Sequence, residues 1–343
     1  MNIGSLGGEP VSRTMTGPGL YIFADINDSG QVAGTSYLAN GTTIGGFSVP
    51  ANTVISASSN LGSLGGTNSY AQAINNSGQV VGYSDNGHAY RTNPDGVVTA
   101  STDIYAIPAG FAQAYGINSS GEVVGTMTGG APYAGAFRTL PDGTITTSSL
   151  IGEVTGYGIN DSGQVVGTNS AGHAYRTAPE GSGATATDLG VFGGGGSVGF
   201  AINDSGQTVG YATNASGISQ AFRTTATGVI DQASMLVAAP GVTVEKSEAL
   251  SINDAGQTIG YYDTATGEFP FLADANGTMQ NLDSLIINNS HTGIGIAVSI
   301  NNEGQILAIS NSAFWVLTPV PEPGAFFSLG ITSISLLLWR RRR

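Results

Sequence analysis

Three histidines, four evenly placed arginines and a set of turn carboxylates are the residues of this chain whose types could do chemistry. A histidine can serve as general base or acid near neutral pH. Yet His88 and His173 stand at the same place in two copies of one pattern, His88-Ala89-Tyr90-Arg91-Thr92 and His173-Ala174-Tyr175-Arg176-Thr177, which points to a scaffold or surface role. His291 falls in a connecting segment. Metal chemistry has little to work with, because the chain has no cysteine and no HExxH pattern. Asp28, Asp161, Asp204 and Asp254 sit in short Asn-Asp-x-Gly tetrads that lack the alternating carboxylates of a calcium loop, so they read as hairpin-turn residues. The glycine run 193–196 has no following lysine and no helical pattern, and reads as a loop and not a phosphate cradle. No catalytic residue, metal ligand or cofactor is expected.

Arg91, Arg138, Arg176 and Arg223 are four of only six basic residues outside the extreme C-terminus, and they recur at one repeat position. Two readings are open. Each could pair with a nearby turn carboxylate such as Asp161 or Asp204, an exposed ion pair contributing about 0–1 kcal/mol. Alternatively, the four could form a one-sided basic arc whose forked donors bind the carboxylates of an anionic polysaccharide.

The element that positions these residues is a seven-fold repeat. Ile-Asn-x-x-Gly-Gln recurs with its isoleucine at 26, 74, 117, 159, 202, 252 and 300, at intervals of 42–50 residues, and only Glu122 replaces the glutamine. A short apolar stretch ending on glycine follows, at Gly34, Gly82, Gly125, Gly167, Gly210 and Gly260, with Ala308 in the seventh copy. Then comes a small residue and an aromatic, a polar turn such as Asn93-Pro94-Asp95-Gly96, and a fourth extended stretch expected at 97–99 or 144–146. Asparagine and glycine tolerate the positive φ of tight hairpin loops. Four short strands per unit, with Val-Val pairs apolar on both faces, predict an all-β, seven-bladed propeller. An open solenoid of stacked sheets is the alternative. Asn2, Ile3, Gly4, Ser5 and Leu6 match Asn60, Leu61, Gly62, Ser63 and Leu64, while the seventh copy stops after its third strand, so an N-terminal strand is expected to complete the last blade.

The tail is different in kind. Pro319 to Gly324 reads Pro-Val-Pro-Glu-Pro-Gly, followed by an uncharged apolar run at 325–339 and by Arg340, Arg341, Arg342 and Arg343. As a helix the run would rise about 22 Å, short of a roughly 30 Å hydrocarbon core, a mismatch that thinning and flanking residues can absorb. The arginines place that end on the cytoplasmic side.

Pro321, Glu322 and Pro323, the apolar segment and the terminal basic cluster, in that order, resemble the PEP-CTERM sorting signal of Gram-negative bacteria. The resemblance implies processing near these residues by an exosortase-type membrane protease after transient residence in the inner membrane. It also implies release to the cell surface or an exopolysaccharide matrix; a plain tail anchor is the alternative. Members of that family carry a secretory leader, and residues 1–20 show no basic and apolar leader pattern; a start site placed too far downstream or a truncation would account for it. The body resembles HAF-type extracellular repeats, named for a triplet that appears here as His88-Ala89-Tyr90 and His173-Ala174-Tyr175. That likeness implies an exported repeat domain and carries no activity with it.

The expected organisation is therefore a propeller at 1–318 and a sorting or anchor segment at 319–343, the latter a short C-terminal transmembrane helix. Ten basic residues oppose 23 acidic ones, and without the terminal arginines the body stands at about −17, which disfavours a nucleic-acid partner. Two function classes remain: a non-catalytic surface or matrix protein whose propeller binds a ligand, and a propeller lyase or hydrolase acting on extracellular polysaccharide. An enzyme should break the repeat with unique acids or histidines. The clearest breaks lie at 244–248 and around His291, both expected in connecting segments.

Overall fold

A computed structural model of the chain describes residues 1–10, 24–107, 110–129, 134–152, 155–181, 185–287, 293–310 and 313–320. Each isoleucine of the repeat ends the innermost strand of one sheet. These strands are Ala24–Ile26, Ser69–Ile74, Phe111–Ile117, Thr155–Ile159, Gly193–Ile202, Lys246–Ile252 and Ile296–Ile300, and their ends border one axial cavity. Seven sheets, antiparallel except where Val237–Ala238 pairs parallel with Thr278–Asn281 at the edge of blade six, thus surround one axis as a seven-bladed β-propeller. In blade three the order outward is Phe111–Ile117, Val123–Thr128, Gly135–Arg138 and Leu150–Gly152.

The ring closes through its first residues. Asn2–Gly4 is the outermost strand of blade seven, pairing with Ala313–Leu317 at Asn2 to Trp315 and Gly4 to Phe314. Ile3 and Leu6 are buried there, and the Met1 amino group donates to the Val316 carbonyl at 2.6 Å.

The core lies between blades. The third-strand aromatics Phe47, Tyr90, Phe137, Tyr175, Phe222, Phe271 and Phe314 are all fully enclosed. Burying one such side chain contributes about 1.5–3 kcal/mol. The second-strand glycine, present in six blades and replaced by Ala308 in the seventh, leaves room for its neighbours: a Cβ at Gly82 would lie 1.9 Å from the Tyr70 carbonyl and 2.7 Å from the Tyr90 hydroxyl.

Three expectations need correction. The stretches 97–99 and 144–146 are not the fourth strands of their own blades. A 3-10 turn follows each, and the outer edge comes later, at Asp103 opposite Tyr90 and at Leu150–Gly152. Instead they strap the preceding blade: Val98 donates its N–H to the Leu61 carbonyl and Ile145 to the Ile104 carbonyl. Ile55 does the same to Ile3, so the strapping runs across the closure too. Secondly, the glycine run 193–196 is not a loop but the start of the inner strand Gly193–Ile202. Its bareness permits a tight approach, since a Cβ on Gly194 would meet the Asn214 carbonyl at 2.3 Å. Thirdly, 246–248 belong to the inner strand Lys246–Ile252 of blade six and not to a connection.

Among the described residues no helix is long and apolar enough to cross a membrane. The apolar run 325–339, Pro321, Glu322, Pro323 and Arg340 to Arg343 lie outside the described residues, as does His291.

Candidate functional site at the propeller axis

The tetrad after each isoleucine folds as a tight turn. Asn27 donates its N–H to the Gln31 carbonyl at 3.0 Å, Gly30 donates to the Asn27 carbonyl at 2.9 Å, and Gly30 takes the positive φ of 78° that a side chain would resist. The asparagine Oδ1 accepts from the amide four residues on, as in Gln31 to Asn27 at 2.9 Å. Its amide nitrogen is then free to reach sideways. Asn27 Nδ2 donates to the Asn75 carbonyl at 3.0 Å, and Asn75, Asn118, Asn160, Asn203 and Asn253 each donate to the next in turn. Asn301 returns to the Asn27 carbonyl at 2.8 Å, closing a circuit of seven identical bonds around the axis.

A second tier stands on the next residue. Asp161 donates its N–H to Asp204 Oδ1 and Asp204 to Asp254 Oδ1, both at 2.9 Å, while Asn302 donates to Asp28 Oδ1 at 2.8 Å. The four turn carboxylates therefore sit together around a vestibule of about 230 Å³. Desolvation raises the Asp204 carboxyl above its ordinary range, and neighbouring Asp161, Asp254 and Asp28 add to the rise against the Asp161 amide.

A separate cavity of about 180 Å³ lies further along the inner strands, and Ile117, Ile159 and Ile202 border both spaces. Here the repeat is broken. In six inner strands the pairing register slips by one residue, and the residue skipped is Gln72, Tyr115, Tyr157, Phe200, Leu250 or Val298. Such a bulge re-aims a side chain, and all six line this cavity. Tyr115, Tyr157 and Phe200 form an arc across blades three to five, with ring centroids 5.7 and 5.9 Å apart.

Blade one contributes Asp25. Its Oδ1 accepts from Ser299 Oγ at 2.6 Å and from the Ile26 amide at 2.9 Å, and its Oδ2 from the Ile74 amide at 3.0 Å. Desolvation by the surrounding protein nevertheless pushes the carboxyl above its ordinary value, outweighing those three donors. Gln72, 5% exposed, lies one blade on, and its Nε2 has no hydrogen-bond partner among the described residues.

The arginines end the third strands beside the next blade's turns, as their spacing implies. Arg91 Nη1 donates to the Gly121 and Gly143 carbonyls, both at 3.1 Å. Arg176, 5% exposed, reaches the Gly206 and Gly228 carbonyls at 3.0 and 3.2 Å, and Arg223 the Asp274 carbonyl at 2.9 Å. Arg138 donates to the Gly163 carbonyl and lies 3.1 Å from Glu180. The partners are thus chiefly backbone carbonyls of the neighbouring blade; Arg138 and Arg91 add Glu180 and Asp142 in place of the expected Asp161 and Asp204. These contacts bind blade to blade.

His88 and His173 meet Asp103 and Asp188 at 2.7 and 3.0 Å, on the outer strands. Among the described residues no group of three or more histidines and carboxylates is arranged to hold a metal ion. Sequence reading missed Asp25, Gln72 and the aromatic arc. Superposing the seven copies on their isoleucine would have found them, since the residue two before it is Gln72, Tyr115, Tyr157 and Phe200 in four consecutive copies.

No family model matches the chain, and no curated protein matches it. Among solved structures, the crystal structure of BamB from Moraxella catarrhalis aligns over 85% of this chain and 83% of its own, at 10% identity and a TM-score of 0.34. The propeller assignment stands on the seven hydrogen-bonded sheets and not on that distant likeness.

Proposed function

We propose that this chain is an exported binding propeller, non-catalytic, carried to the cell surface or the exopolysaccharide matrix by its C-terminal sorting segment. The observation that carries the binding reading is the second axial cavity, where a scaffold otherwise repeated seven times presents five residue types at six bulges and one unrepeated carboxylate. A purely structural ring has no need of that asymmetry, whereas recognition of an asymmetric ligand does. The sorting reading is supported by the order Pro321-Glu322-Pro323, apolar run, Arg340 to Arg343. The partner it requires is an exosortase-type protease. A hydrolase acting on polysaccharide through two carboxylates would need a second acid; Asp25 is the one carboxylate among the described residues lining this cavity.

The arginine arc is a weaker basis for holding an anionic polysaccharide, because its donors already serve blade contacts. The test is made on protein recovered from its native host. Mass spectrometry should find a new C-terminus near Pro321 to Pro323, and the processed body should be retained on the host's polysaccharide without releasing saccharide products. Intact Arg340 to Arg343 on a stably membrane-bound species would overturn the sorting reading, and product release would overturn the non-catalytic one.

A further inference from the structure

We infer that the axial cavity between Asp25, Gln72 and the aromatic arc of Tyr115, Tyr157 and Phe200 is a binding site for a single neutral sugar ring. The inference deepens the binding-propeller reading and needs no part of the sorting reading.

Size limits the ligand first. The cavity measures about 180 Å³, and an enclosed space of about 150 Å³ accommodates one benzene ring. One six-membered ring with its substituents fits; a disaccharide does not.

Polarity then selects among rings. Gln72 is enclosed, yet its Nε2 has no partner among the described residues, and a buried donor of that kind calls for an acceptor. Asp25 Oδ1 is filled by Ser299 and the Ile26 amide, whereas Oδ2 accepts only from the Ile74 amide and keeps room for one more donor. A hydroxyl-bearing ring supplies both an acceptor and a donor. A quaternary ammonium would suit the aromatic faces, but it offers nothing to the Gln72 N–H and would be opposed by its positive end.

Placement completes the argument. Blades follow chain order around the axis, so Asp25 of blade one stands across the channel from the arc centred on Tyr157 of blade four. A sugar has C–H groups on one face and hydroxyls around its edge. Its apolar face would lie on one ring of the Tyr157–Phe200 pair, whose planes stand at 61° with centroids 5.9 Å apart, and touch the edge of the other, while its edge hydroxyls reach Asp25 and Gln72. A ring bearing its own carboxylate would meet Asp25 unfavourably.

The experiment is saturation-transfer NMR on the full chain with glucose, galactose, N-acetylglucosamine and glucuronate as probes, and choline as a control cation. Transfer to the ring protons of at least one neutral sugar is expected, with glucuronate weaker at neutral pH. Gln72→Met and Phe200→Leu should each weaken that sugar about tenfold, the loss of one well-placed contact, in a chain that remains folded at the temperature of the measurement. If either variant fails to fold, Gln72→Glu, which keeps the shape and removes a donor, replaces it. A tetrasaccharide ending in the same unit separates the two sources: equal affinity identifies a chain end, and no binding identifies the free sugar. Transfer to none of the sugars, which would leave the cavity to water, overturns the proposal, and so does preference for choline or equal binding by the variants. Should the sugars fail while the protein is still held by host polysaccharide, the pocket is wrong and the binding reading stands; failure of both removes both.

Discussion

Asp25 shows at the level of one residue what the sequence hides. Read in its own segment it is a lone acid between Ala24 and Ile26; only the ring brings Ser299, distant in sequence, within 2.6 Å of it. Its elevated proton affinity comes from enclosure, which no local pattern encodes. A folded-state value above the unfolded one means that the folded chain holds the extra proton between the two. Stability is then complete below the ordinary carboxylate value and declines as pH rises through the raised one. Unfolding temperature followed from about pH 4 to about pH 7, the span above an ordinary aspartate, should therefore contain a falling component in the wild type. Asp25→Asn should lack it. The slope is the readout, because the variant also alters the bond to the Ile74 amide and shifts the level at every pH. Equal slopes would mean that Asp25 ionises normally.

Strands were the most legible elements, and the reason is periodic. The isoleucine and the turn tetrad recur seven times and the glycine six because each solves the same local problem in blade after blade, so strand ends could be read from the tetrads. The outer edge was harder to read: 97–99 and 144–146 are extended and β-branched, but their partner is the previous blade's edge, a long-range choice that propensity does not express. The bulge was also hidden. Strict alternation would put residues one and two before the isoleucine on opposite faces, whereas the slipped register lets both line the cavity, as Gln72 and Ala73 do in blade two. The second-strand glycine sits against this slip in five blades, while blade seven carries Ala308 there. In blade five a Cβ at Gly210 would fall 1.8 Å from the Val198 carbonyl, which is backbone and cannot rotate away. Gly210→Ala should cost about 1–3 kcal/mol as an overpacked core site, measured by urea unfolding. A cost near zero would show that the bulge can shift freely.

For the whole molecule, closure is the property that matters most. Removing residues 1–8 deletes the outer strand of blade seven and takes Ile3 and Leu6 out of the core. At about 1.5–3 kcal/mol per buried side chain the loss should be about 3–6 kcal/mol, together with two newly exposed strand edges. Calorimetry should show a large fall in unfolding temperature; an unchanged value would mean that the ring does not depend on its first strand. The repeat of Asn2 to Leu6 in Asn60 to Leu64 made this closure readable, because a blade's end standing before the first blade has only the last one to join. The same geometry has a directional outcome. Blade seven's last described strand runs toward its own Asn301 turn, Leu317 pairing with Ile306 and Pro319 packing beside Gly304. Val320 thus lies toward the vestibule face, the one carrying the asparagine circuit. Anything joined to the chain after it starts beside the vestibule, and the aromatic cavity, on the far side of the isoleucines, opens at the opposite end of the axis.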